Sequence, residues 1–232
     1  MNTLGIIIGF LPGLAWLFFY LREDPHPEPK YLIFITFISG IIAAILSFLV
    51  QYFINDNFEK EGLLPFNQDS TPLFIIGIFT LYAFIEEIIK FFTTFLTVYK
   101  NKDFDEPVDA MIYIIVNALG FATLENIGVL TNNKIIQGSN LIMFQTASLR
   151  FVGATLLHTL ASGIIGYFWA ISIREFGHKK PLILGVFLAT VLHTLFNFFI
   201  IIYGNSLITI SILFIAGLIV LTDFEKLKYK KL

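Results

Sequence analysis

The sequence predicts an all-α protein, a polytopic transmembrane helical bundle of about seven spans, and three observations carry that expectation. The 232 residues are 56% hydrophobic and only 14% charged, with a mean hydropathy of +0.80. A soluble domain carries about 25% charged residues and 45–50% apolar ones, so the excess suits a chain whose solvent is lipid. Apolar runs of roughly 20 residues, the length that crosses a hydrocarbon core about 30 Å thick, recur seven times. Lysine and arginine fall mostly in alternate connections between those runs.

Taken in order, the spans are Leu4–Tyr20, Tyr31–Ile54, Pro72–Tyr99, Val108–Leu130, Phe151–Ile173, Pro181–Tyr203 and Leu207–Leu221. The first run has no basic residues before it and no small-residue cleavage site after it, and Arg22 follows it; it reads as a retained helix. Pro25, Pro27 and Pro29 punctuate the connection to the second span. Pro107 and Pro181 suit the first turns of their helices, where a missing N–H costs nothing. Between Gln137 and Arg150 the chain is half polar, which fits an interfacial helix ahead of the fifth span. No internal repeat, low-complexity stretch or separate soluble unit interrupts this pattern. The whole of residues 1–232 reads as a single integral membrane domain, with a site region over residues 72–203.

Eleven basic residues (Arg22, Lys30, Lys100, Lys102, Arg174, Lys179, Lys180, Lys226, Lys228, Lys230 and Lys231) fall in the odd loops and the C-terminal tail. Only Lys60 and Lys134 lie on the alternate side. By the positive-inside rule, the odd loops and the C-terminus are cytoplasmic and the N-terminus is out. The Lys226–Lys231 tail suits anionic headgroups beneath a membrane, and nothing in the sequence fits nucleic-acid binding. The absence of cysteine excludes disulfides, thiolate metal sites and thiol nucleophiles.

Against this apolar background, a few polar residues stand out. A charge at mid-membrane costs at least about 2.5–3.5 kcal/mol and marks function by default. The third span carries Glu86, Glu87 and Lys90; the fourth, Glu125 and Asn126; the fifth, His158; the sixth, His193 and Asn197. At ~1.5 Å rise per residue, Glu86 lies ~20 Å from the cytoplasmic end of its span, His158 ~23 Å, His193 ~18 Å and Glu125 ~27 Å. Four helices can therefore bring these side chains into one layer. Glu86 and Lys90 are spaced i,i+4, so they share one face and can pair, while Glu87 points about 100° away. His193 and Asn197 share a face by the same spacing. Thr93, Thr94, Asn117 and Asn126 read as hydrogen-bonding glue between helices. Arg150 reads as snorkelling to the outer interface, and Asp109 as beginning its helix.

Carboxylates and neutral imidazoles are ordinary ligands of a divalent metal such as zinc. Three of them leave an open position for a water, and a further glutamate can act on it as general base. Without metal, a glutamate and a histidine can also activate water. The same residues could instead relay protons in an ion-coupled transporter, or simply hold a scaffold together. At this level the reaction stays open.

The motifs Glu86-Glu87-x-x-Lys90, Phe121-x-x-x-Glu125-Asn126, His158 and His193-x-x-x-Asn197, on successive spans, resemble the PrsW family of intramembrane proteases. That family is related to the CAAX prenyl endopeptidases and to bacteriocin-processing membrane enzymes. Asp109 and the Gly120-Phe121-Ala122 context also look like the family pattern. The resemblance implies peptide-bond hydrolysis in the membrane, with Glu86 and Glu87 catalytic. It assigns Glu125, His158 and His193 to a divalent metal, with zinc the first candidate. Lys90, Asn126 and Asn197 would support the site. It further implies a membrane protein or peptide substrate, a role in anti-sigma-factor proteolysis, and a place in the bacterial inner (cytoplasmic) membrane. Oligomeric state is not expressed in the sequence.

Overall fold

The fold is given by a computed structural model that describes residues 3–23, 26–60, 71–174, 178–204 and 206–227. Pro25 and the tail lysines Lys228, Lys230 and Lys231 lie outside the described residues. The described residues are helical with short connections: α1 (Thr3–Tyr20), α2 (Lys30–Lys60), α3 (Pro72–Val98), α4 (Pro107–Leu130), α5 (Asn133–Ile136), α6 (Asn140–Val152), α7 (Ala154–Arg174), α8 (Lys179–Ile202) and α9 (Ser206–Leu227). Among them, seven stretches are long and apolar enough to cross a membrane, with α6 and α7 counted together as Asn140–Ile173. All seven expected spans are found.

Two ends run further than expected. The second span continues past Ile54 to Lys60, where Lys60 pairs with Asp56 one turn back at 2.6 Å. The last continues past Leu221 to Leu227, because Phe224 and Leu227 join the core and Asp223 is paired with Lys226 at 2.9 Å. The half-polar segment ahead of the fifth span forms α6. It is set off from α7 at Gly153, yet backbone hydrogen bonds from Gly153 to Leu149 and from Leu157 to Gly153 carry the chain through the bend.

The fourth helix is the axle of the bundle: 94% of its membrane window is buried, against 28–67% for the others. In lipid, helices associate through close backbone approach and polar bonds rather than by expelling water. Small residues supply that approach here. Gly5, Gly9 and Gly13 line one stripe of α1 against Leu130, Ile127 and Thr123 of α4. Gly40 of α2 and Gly120 of α4 meet so closely that a Cβ on Gly40 would fall 1.9 Å from the Asn117 carbonyl oxygen, and one on Gly120 would fall 2.0 Å from that of Phe37. Beside this crossing, the Asn117 amide donates to Ser39 Oγ at 2.8 Å and Thr93 Oγ1 at 3.0 Å, tying three helices together. Thr94, expected to act similarly, bonds back to Lys90 O on its own helix at 2.8 Å. Outside the crossing, Phe18, Phe34, Phe48, Phe53 and Leu96 are exposed, as lipid-facing residues should be.

A Gly120→Val substitution should therefore force α2 and α4 apart. Overpacking alone costs roughly 1–3 kcal/mol, and backbone is the obstacle here. We expect a clear drop in thermal stability in detergent, followed by tryptophan fluorescence. Gly128→Ala on the same helix, where an added Cβ meets nothing within 4 Å, should leave the transition in place.

The connections show which loops share a side. His26, in the first, lies 2.8 Å from Glu106 in the third. Tyr31 donates to Asp103 at 2.9 Å, and Tyr113 donates to Glu28. Asp109 accepts from the backbone N–H of Asp105 and Glu106 at 2.9 and 2.7 Å, which starts α4 as expected.

Candidate active site

Opposite those loops, in the half of the bundle where α4 ends and α7 begins, the isolated polar residues converge. One donor atom from each of Glu86 (α3), His158 (α7) and His193 (α8) lies within 4.8 Å of the other two, and all three residues are buried. Glu125, at the end of α4, accepts from His158 Nε2 at 2.9 Å. The four helices thus bring one residue each to a common point, as their depths suggested.

The two adjacent glutamates part company. Glu87 is fully buried, 2.7 Å from Lys90 Nζ and 2.8 Å from His193 Nδ1. The Glu86–Lys90 pair that the spacing allows does not form; Lys90 pairs with Glu87 at i,i+3, and its Nζ also approaches His158 Nδ1 at 3.3 Å. Helix α3 turns Glu87 and Lys90 into the seam with α7 and α8, where each charge finds its complement. Glu86 instead sits between α2 and α8. Its Oε1 accepts from Gln51 of α2 at 2.9 Å, whereas Oε2 is buried without a hydrogen bond and faces His193 Nε2 at 3.7 Å.

Two cavities of about 340 Å³ meet this cluster. One lies among α6, α7, α8 and α9, with Arg150, Asn197, His158 and His193 on its wall; the other lies between α2 and α4, with Gln51 on its wall. Glu86 and Glu125 line both. Glu87, expected to be catalytic, lines neither; its contacts are with Lys90 and His193 Nδ1. A larger groove of about 760 Å³ between α3 and α8 is almost wholly apolar and includes none of these polar groups.

Arg150 also departs from expectation. It does not snorkel outward: its guanidinium bonds to Asn126 Oδ1 and, at 3.1 Å, to Glu125 Oε2. The bend at Gly153 turns the last turn of α6 over the end of α4, so Arg150 reaches inward. Asn126 completes the link by donating to Thr155 Oγ1 of α7 at 3.0 Å. Gln51 was not singled out from sequence; a glutamine near the end of a long span carries no distinctive signal.

With this geometry in view, similarity to known proteins is informative. Residues 28–222 match the PrsW family intramembrane metalloprotease model. The chain belongs to the PrsW family. It is 31% identical over 191 residues to Protease PrsW of Oceanobacillus iheyensis, covering 82% of this chain and 80% of that protein. Protease PrsW of Bacillus subtilis is 30% identical over 164 residues, covering 70% and 66%, and that of Halalkalibacterium halodurans 28% over 209 residues, covering 89% and 88%. No solved structure matches. This PrsW-family chain is an intramembrane protease, integral to the membrane and acting on protein substrates there. The transporter alternative finds no support among these relatives.

Proposed function

We propose that this PrsW-family protein hydrolyses a peptide bond of a membrane-anchored protein at the cluster of Glu86, Glu125, His158 and His193. The observation that supports this most is Glu86 Oε2, a buried carboxylate oxygen without a hydrogen bond, facing an imidazole nitrogen beside two cavities. Burying an ionisable oxygen without a partner is costly, and a cation or a reacting water would relieve it.

The residues fit a divalent metal, with zinc first by donor type. One carboxylate and two imidazoles, with a position left open, is a catalytic zinc set. Charge points the same way: Glu86, Glu87 and Glu125 face only two permanent cations, Lys90 and Arg150, in the cluster. Glu86, His158 and His193 would hold the ion; His158 would exchange its bond to Glu125 or its contact with Lys90 to do so. When bound, a divalent cation supplies Lewis-acid polarisation and lowers the pKa of water.

The chain's own groups supply the rest. Glu125, held by Arg150 and open to both cavities, takes the proton as a water attacks the scissile carbonyl carbon. It returns that proton to the amide nitrogen as the C–N bond breaks, leaving a carboxylic acid and an amine. Asn197, on the wall of the first cavity, is placed to donate to the developing oxyanion. Glu87 fixes the His193 ring through Nδ1, as outer carboxylates do for ligating histidines. The roles of Glu86 and Glu125 are thus exchanged relative to those the family resemblance implied. With the basic loops cytoplasmic, the site lies in the outer half of a bacterial cytoplasmic membrane.

The test is purified protein in liposomes with a pool of single-span membrane proteins, anti-sigma factors among them, and new termini mapped by mass spectrometry. Termini that appear with wild type and vanish with equally folded Glu86→Gln are expected. Identical termini from both would remove this site.

A further inference from the structure

The two cavities that share Glu86 and Glu125 open between different helices, one among α6–α9 and the other between α2 and α4. Both are mostly apolar. The α6–α9 cavity adds Arg150 and Asn197, whereas the α2–α4 cavity adds Ser47 and Gln51 to groups such as Ala44, Ile45, Leu124 and Gly128 and carries no charged residue beyond the two shared glutamates.

We propose that a substrate lies across Glu86 and Glu125, with the residues on one side of the scissile bond in the α6–α9 cavity and those on the other in the α2–α4 cavity. The α2–α4 cavity is then a subsite for an apolar side chain. This rests on the peptidase reading of the cluster. It adds the path of the substrate and the side chain selected.

Gly128 offers a clean probe. It lies in α4, is exposed on the α2–α4 cavity wall, and an added Cβ meets nothing within 4 Å. Leucine is also the better helix former there, so Gly128→Leu should fill the subsite without weakening the fold. Leu149→Trp, at an exposed position on the other cavity, is its counterpart. Full-length wild type and both variants, in liposomes, are given a library of single-span peptides varied at each position around the cleavage point.

Gly128→Leu is expected to lower kcat/KM about ten-fold or more for peptides with Leu or Phe at one position on one side of the scissile bond, and to spare those with Ala there. Leu149→Trp should change preference on the opposite side only. An unchanged profile for Gly128→Leu, or changes on the same side from both variants, would overturn the proposal. Wild type that cuts no library member would instead remove the peptidase site itself.

Discussion

Glu125→Gln is expected to abolish hydrolysis, by about a thousand-fold or more, while leaving metal content unchanged. Loss of a positioned general base typically costs 10²–10⁴ in rate, roughly 3–5 kcal/mol of barrier. Glu125 is only partly buried and is held by Arg150 at 3.1 Å. The amide that replaces it keeps the shape and can still meet Arg150 through its oxygen. Glu86→Gln and His193→Ala should lose activity and bound metal together, because each removes a donor from the group that lies within 4.8 Å. Metal content by mass spectrometry of the purified variants, read beside single-turnover cleavage, makes the distinction. If Glu125→Gln loses the ion and Glu86→Gln keeps it, the two glutamates hold the opposite roles, with Glu86 as base.

Lys90→Met should be the most destabilising single change in the site region. Lys90 and Glu87 are both fully buried and lie 2.7 Å apart. Removing one partner of such a pair strands the other charge, at about 3–5 kcal/mol. Thermal unfolding in detergent should shift down well beyond anything seen for Glu125→Gln. Replacing both partners with apolar residues of similar volume is often close to neutral, so Lys90→Met with Glu87→Leu should recover most of the transition temperature. Activity should stay low in the double variant, since His193 Nδ1 has lost the carboxylate that orients it. Full recovery of cleavage with stability would show that Glu87 does no positioning.

Much of this was legible in the sequence, for a physical reason: lipid tolerates few polar groups. Glu86, Glu87, Lys90, Glu125, His158 and His193 are conspicuous because each is expensive where it stands. Span length is set by bilayer thickness, so seven runs of the right length predict seven spans, and all are present. Helical rise then put four of the polar residues near one depth, and the bundle brings them together.

What the sequence could not express is rotation of one helix against another. Spacing of i,i+4 made Glu86 the natural partner of Lys90, yet i,i+3 is also a neighbour on a helix surface. Here Lys90 and His193 Nδ1 both meet Glu87, while Glu86 accepts from Gln51 of α2. Arg150 and Gln51 are similar cases. One is turned inward by a bend at Gly153, and the other is carried to Glu86 by the tight Gly40–Gly120 crossing. The one-dimensional pattern, by itself, determined the membrane fold and the chemically costly residues, because desolvation depends on depth, and depth is counted along the chain. Which of those residues touch each other, and which line a cavity, was decided only by the packing of α4 against its neighbours, because contact depends on how the helices are turned.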